Sequence, residues 1–210
     1  MDRARGRSTV DLPDGIVPRW EWRGFGDDFD TADAVLRPLP TERSASSDEC
    51  YLLSTHADAS VKVRDGKIDV KRRLDVDDHG LELWAPTLDA DFPLSPTVEG
   101  EVLAALGVEV AAPLGAPTPD DLVAELVEGR DDLIATDVHK DRRHYLVDGC
   151  MVESTDITVG GTTVRTVTVE SPDPAEVLDT LDRLGLADRH NVNVARGLKA
   201  MVRFGATSTP

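Results

Sequence analysis

Polar and apolar residues alternate with a period of two over much of the chain, the period of a strand whose two faces meet different surroundings. Residues 59–74, ASVKVRDGKIDVKRRL, give the clearest case. Asp65-Gly66 is a pair that accepts positive φ at both central turn positions, so the flanking runs are expected to form a tight antiparallel hairpin. Counting outward sets Arg64 against Lys67, Val63 against Ile68, Lys62 against Asp69 and Val61 against Val70. Lys62, Arg64, Lys67, Asp69 and Lys71 then share one face, and the four apolar residues share the other.

Residues 19–23, RWEWR, repeat the pattern, with Arg19, Glu21 and Arg23 opposite Trp20 and Trp22. Residues 49–55 and 80–85 read as further strands, the second carrying Glu82 between Leu81 and Leu83. Residues 133–147 return to strand, Asp148-Gly149 repeats the hairpin signal, and residues 150–159 run back. After Gly160-Gly161, residues 162–170 form a Val/Thr-rich strand that ends in Glu170. Counting from the second turn places Arg142 opposite Thr155 and His144 opposite Glu153. Lys140, Arg142, His144 and Glu153 therefore share one face, and Arg143, Tyr145 and Asp156 the other. His139 and His144, five apart on a strand, fall on opposite faces and are poor joint ligands; both are expected at the surface. The three tryptophans are expected to pack in the core or under helices.

Helical spacing marks residues 97–106, 119–129, 174–184 and 192–202, with a helical turn at 31–36. The rest of 24–48 reads as turn-rich and 86–96 as a linker, because prolines punctuate both. Strands joined mostly by tight turns, with helices inserted mid-chain and appended at the end, predict an α+β fold: an eight-stranded antiparallel sheet or barrel with peripheral helices.

The 210 residues suit one domain, expected over 18–205 behind a flexible leader at 1–17. A formal charge of -17 sets up a field that repels nucleic acid and anionic membranes, so neither is an expected partner and any anion site must be local. The N-terminus lacks a secretory signal and no apolar run is long enough to span a bilayer, which predicts a cytoplasmic protein. Cys50 and Cys150 stand apart without metal-site spacing and read as reduced thiols. Phosphate loops of the GxGxxG or GxxxxGK type are absent from the sequence.

Cationic side chains recur at every second position: Arg19 and Arg23, Lys62 and Arg64, Lys67 and Lys71, Lys140 and Arg142. On separate strands such faces are ordinary solvated surface. Turned inward by a closed barrel, they make a charged tunnel able to hold several phosphates, with Arg binding in bidentate fashion and Lys as a point charge. Glu21, Glu82, Glu153 and Glu170 are the carboxylates on these strands. Carboxylates beside phosphates suit a hard divalent cation such as Mg²⁺ or Mn²⁺.

The order of these segments, a first strand of alternating charge, a KxR strand, a strand reaching a lysine, a KDRRHYLVDG hairpin and a last strand ending in Glu, resembles the CYTH-like family of triphosphate tunnel enzymes over roughly residues 18–203. The resemblance implies an eight-stranded antiparallel barrel around a basic tunnel, and hydrolysis or rearrangement of triphosphates with Mg²⁺ or Mn²⁺. The family's first strand carries Glu-x-Glu-x-Lys, where this chain has Arg19-Trp20-Glu21-Trp22-Arg23; its last strand carries Glu-x-Glu, where this chain has Thr168-Val169-Glu170. Carried over position by position, Glu21 and Glu170 hold metal, Lys62, Arg64, Lys71 and Arg142 or Arg143 hold phosphates, and Arg23 takes the place of the lysine. In a hydrolytic version, and apart from those matched positions, a carboxylate such as Glu82 or Glu153 would position the attacking water. The function so implied is a metal-dependent triphosphatase acting on a triphosphate-containing compound. Two motif carboxylates are lost, so a catalytically reduced module that binds polyphosphate or a nucleotide without turnover is the alternative. A scaffold whose interior is closed by its own ion pairs is a third reading.

Overall fold

Both Asp-Gly pairs adopt the left-handed conformations that a two-residue hairpin requires: Asp65 and Gly66 at φ 53° and 77°, Asp148 and Gly149 at 50° and 89°. These turns anchor two of the hairpins in the computed structural model, which describes residues 12–205. Its elements in chain order are β1 (Arg19–Phe25), α1 (Asp30–Leu36), β2 (Arg43–Ser54), β3 (Ser60–Arg64), β4 (Lys67–Val76), β5 (Glu82–Asp91), α2 (Pro96–Leu106), α3 (Pro119–Val127), β6 (Leu133–Val147), β7 (Cys150–Val159), β8 (Thr162–Ser171), α4 (Pro174–Leu184) and α5 (Val194–Met201). The strands form a closed antiparallel barrel in the order β1-β5-β4-β3-β2-β6-β7-β8, the closed form of the expected antiparallel sheet or barrel. The expected leader falls, in residues 1–11, outside the described residues.

Registers at the hairpins are those counted from the sequence, Lys62 against Asp69 and His144 against Glu153. Two segments differ. Residues 43–48 were expected in a turn-rich stretch and instead extend β2, pairing Arg43 with His144 through Asp48 with His139. Their polar sequence, RSASSD, hides the strand because one face lines a cavity and the other meets solvent, so no apolar position betrays the period. Likewise β5 runs through Pro86 to Asp91 instead of ending at Ala85. Pro86 sits where the register with β4 slips between Val70 and Lys71, the kind of irregularity that accommodates a proline in a strand.

Helices begin where a capping side chain precedes a proline. Ser95, Thr118 and Asp173 each accept a backbone N–H of the first turn, and Pro96, Pro119 and Pro174 follow at the first helical position. α4 lays Val177, Leu181 and Leu184 on the outward residues Trp22, Val167 and Val169 of β1 and β8. Burying three such side chains is worth about 1.5–3 kcal/mol each, before conformational entropy is set against it. On the opposite side α2 and α3 cover Val61, Ile68 and Val70 with Val102, Leu106, Leu122 and Leu126.

The third helix contact is inside the barrel. Ala195 and Leu198 of α5 pack against Leu53, Val138 and Ile157, whose side chains point inward. The inner wall is thus apolar at one end, where α5 stops it, and charged along the rest.

Candidate functional site

The charged part of the interior is a cavity of about 530 Å³ with Asn193 and Val194 at the head of α5 in its floor. Inward-facing residues of several strands reach it: Glu21 and Arg23 from β1, Tyr51 from β2, Lys62 and Arg64 from β3, Lys71 from β4, Lys140 and Arg142 from β6, Glu153 from β7. The cavity therefore gathers five of the six expected phosphate ligands: Arg23, Lys62, Arg64, Lys71 and Arg142. It adds Arg43 and Lys140.

Arg143 is the exception. It has the opposite parity and lies on the outer wall with Arg37, Tyr145 and Arg165, where Arg165 is bound to Asp33 of α1. Of the two arginines in the Arg142-Arg143 pair, the inward parity selects Arg142. His144, expected at the surface, also faces the cavity and stands 3.6 Å from Glu153, whereas His139 is outside with Asp48. Trp22 packs in the core, but Trp84 lines the cavity.

Most cations arrive with carboxylate partners. Lys62 is 3.3 Å from Asp69, and Arg23 is 3.6 Å from Glu21 and 3.7 Å from Glu153. Burial works against the charge on Arg23, but Glu21 and Glu153 outweigh it and hold its pKa above the ordinary value. Burial also pushes the Glu153 carboxyl up, yet Arg23, the Thr155 hydroxyl at 2.8 Å and Arg142 bring it below the usual range. Glu153 is thus an ionised carboxylate facing the cavity.

Glu49 was not among the expected site residues. Its carboxylate is fully buried in the wall, accepts from Arg142 at 2.6 Å and Arg64 at 3.4 Å, and lies 3.2 Å from the Lys140 ammonium. Burial opposes its charge, but Lys140, Lys62 and Arg142 drive its pKa far below the usual range. The sequence signal was only that Glu49 shares a parity with Tyr51. Recognising the cluster needs β3 and β6 on either side of β2, which closure of the barrel supplies. Lys140 is itself nearly enclosed, with its ammonium 2.5 Å from the Tyr51 hydroxyl; burial lowers its pKa to about 7 against the attraction of Glu49.

Three expected carboxylates form a row across adjacent strands: Glu82, Glu21 and Glu170 are successive register partners on β5, β1 and β8. Glu82 is committed elsewhere. It accepts from Arg73 at 2.5 Å, from the Trp84 indole at 3.1 Å and from Asn193 at 3.2 Å, at the closed end of the barrel. No group of three or more His, Cys, Asp or Glu side chains suited to a metal ion occurs among the described residues. What remains is a carboxylate pair, Glu21 and Glu170. Cross-strand partners on one face have Cβ atoms about 5 Å apart, and burial followed by the neighbouring Glu21 raises the Glu170 pKa despite Lys71. Glu21 lines the cavity and Glu170, its register partner, stands beside it without being among the lining residues. A pair of adjacent acids fits a hard divalent cation that completes its shell from phosphate and water.

No family model and no curated protein sequence matches the chain. Among solved structures it is similar to the PH1012 protein of Pyrococcus horikoshii, at 16% identity over 86% of this chain and 98% of that one, with a TM-score of 0.46. It is similar to a putative adenylyl cyclase from Hippeastrum described as having a dominant triphosphatase activity, at 13% identity over 89% and 96%, with a TM-score of 0.46. A putative adenylate cyclase from Bacillus halodurans aligns at 9% identity over 91% and 100%, with a TM-score of 0.49.

Proposed function

We propose that the barrel binds the phosphate chain of a triphosphate-containing compound in its cavity and hydrolyses it with a divalent cation held by Glu21 and Glu170. The observation that carries this reading is the inward convergence of Arg23, Lys62, Arg64, Lys71 and Arg142 on one stopped cavity, in a chain whose net charge is -17. A local cluster of that kind, maintained against the field of the whole molecule, suits a multiply charged anion.

Each residue has a distinct task. Arg23 and Arg142 present several N–H groups from fixed positions, while Lys62 and Lys71 add mobile point charges to the phosphoryl oxygens. Glu153, kept ionised by Arg23 and Arg142, accepts a hydrogen bond from a water and aims its oxygen at the terminal phosphorus. As that water adds to the terminal phosphorus, the bridging P–O bond breaks with its electron pair going to the departing remainder of the chain (diphosphate, from inorganic triphosphate). Glu153 takes the water's proton, and the terminal group is released as orthophosphate. α5 closes the floor and keeps the phosphate chain from sliding through. Mg²⁺ or Mn²⁺, when bound, supplies charge neutralisation and Lewis acidity at the phosphoryl oxygens.

The test is orthophosphate release from inorganic triphosphate and from ATP with Mg²⁺ or Mn²⁺ and an EDTA control. Metal-dependent release, abolished in Lys62→Ala/Arg64→Ala, is expected; full activity in that double variant sinks the reading. A second reading, binding without turnover, is favoured by the commitment of Glu82 to Arg73, Trp84 and Asn193. It predicts that triphosphate raises the melting temperature with no release of phosphate.

A further inference from the structure

We propose that Glu49 is the positioning residue of the anion site: its buried carboxylate holds Arg64, Lys140 and Arg142 in place from behind, so that a triphosphate meets an already assembled set of cations. The inference rests on the phosphate-binding reading of the cavity and adds to it a residue that touches no ligand.

The geometry is convergent. One oxygen, Oε1, accepts from Arg142 at 2.6 Å, from Ser47 at 3.2 Å and from Arg64 at 3.4 Å. Ser47 also accepts from the other arm of Arg142 at 2.6 Å, so the guanidinium is fixed at both ends of its fork. Oε2 makes no hydrogen bond of good geometry and has the Lys140 ammonium at 3.2 Å as its counter-charge. The carboxylate itself has no exposure, and it is not part of the cavity lining. It therefore competes with no ligand for space.

Three cations brought together from β3 and β6 in a poorly solvated wall repel one another, and each charge costs free energy to bury without a partner. A single anion behind them offsets both costs. Without it Arg64, already 39% exposed at its side chain, is free to turn to solvent, and Lys140 is more easily left without its proton. The groups facing Lys140 are Glu49 and Tyr51 on β2, Lys62 on β3, Arg23 on β1, Arg142 on β6 and Glu153 on β7. Among them Glu49 is the carboxylate within ion-pair distance.

The sign of the effect separates this role from bulk electrostatics. By charge alone, Glu49→Gln makes an anion cavity one unit more positive and tightens triphosphate binding. A positioning residue does the reverse.

Inorganic triphosphate is titrated calorimetrically into wild type and Glu49→Gln between about pH 6 and 8, with the fold of each checked by circular dichroism. Expected is affinity lower by about tenfold or more in the variant at pH 6, which is roughly the loss of one charge-assisted hydrogen bond. The pH at which affinity falls is also expected to move toward acid, because Lys140 has lost its counter-charge. Equal or tighter binding, or an unmoved profile, overturns the inference while leaving the functional reading intact. Failure of the wild type to bind triphosphate at any pH overturns both. Should Glu49→Gln not fold, Glu49→Asp keeps the charge but withdraws it by one methylene. Weaker binding in Glu49→Asp supports the positioning role, and unchanged binding overturns it.

Discussion

Glu21 and Glu170 are register partners on the first and last strands, so closing the barrel sets two carboxylates side by side on its inner face. Burial, and then Glu21, raise the pKa of Glu170 above the ordinary glutamate value, although Lys71 and Arg19 oppose the change. A carboxyl whose folded pKa exceeds its unfolded one keeps its proton longer in the native state. Its destabilising effect is absent below the unfolded value, grows as pH rises through the folded one, and is complete above it. Glu170→Gln removes that effect. The variant is expected to melt above the wild type at about pH 7 in EDTA, with the gap closing near pH 4, about the unperturbed glutamate pKa. Mn²⁺ or Mg²⁺ is expected to raise the melting temperature of the wild type and not that of the variant. A variant that melts below the wild type in EDTA would mean that Lys71 compensates Glu170 fully, and that the pair has no need of a cation.

Adjacent arginines separate the two faces of β6. Arg142 bonds Ser47 and Glu49 inside the barrel, and Arg143 lies on the outer wall near Arg165. Arg142→Ala is expected to weaken triphosphate binding by roughly 10- to 100-fold, the range of a lost hydrogen bond to a charged group. Arg143→Ala is expected to leave affinity within about twofold and stability within about 0.5 kcal/mol, as for an ordinary surface change. Calorimetric titration of both variants under one condition makes the comparison; equal losses would refute the parity assignment.

The legible part of the molecule is the part with two chemically different faces. Asp65-Gly66 and Asp148-Gly149 fix the hairpins, and Lys62, Arg64 and Arg142 fall on the inner face that a count of two predicts. Arg43 was illegible because residues 43–48 have no apolar face, and the continuation of β5 was masked by Pro86. Glu49 shows a different limit. A glutamate between Asp48 and Cys50 carries no local mark of burial, and its partners on other strands lie further along the chain, Arg64 at a separation of 15 residues and Arg142 at 93. Only the neighbour relations β3-β2-β6 make it a site residue. The same holds for α5: its apolar face, read from spacing alone, does not say that it enters the barrel.

Glu82 was expected to position water, and its surroundings assign it a structural load as well. It is buried, and joins Arg73 of β4, Trp84 of β5 and Asn193 at the head of α5. Glu82→Ala leaves the guanidinium, the indole N–H and the amide without their acceptor and detaches the start of the stopper helix from the wall. The expected loss is about 3 kcal/mol, the lower range for breaking a buried pair, since Arg73 is 32% exposed at its side chain and regains some hydration. Urea unfolding measures it. A loss below about 0.5 kcal/mol would leave Glu82 free for a purely chemical role.

Gly197 lies in α5 against the ring of Phe25, inside the stopped end of the barrel. A Cβ added there would stand 2.0 Å from the ring, a contact no rotamer of alanine can relieve. Two effects compete in Gly197→Ala. Helix propensity favours alanine by about 1 kcal/mol, and overpacking costs about 1–3 kcal/mol or more where the neighbour cannot give way. The ring is partly buried against α5 and the inner wall, and a 2.0 Å approach demands a large displacement of it, so the clash is expected to win by about 2 kcal/mol. In a domain of this size that lowers the melting temperature by roughly 4–8 °C. Phe25→Leu, combined with Gly197→Ala, removes the edge of the ring and is expected to recover part of the loss. Because Asn193 and Val194 form the cavity floor, displacing α5 also moves the surface on which the phosphate chain rests. Triphosphate affinity should therefore fall with stability in Gly197→Ala and return with it in the double variant; a stable Gly197→Ala protein would place α5 more loosely in the barrel than its packing on Leu53, Val138 and Ile157 indicates.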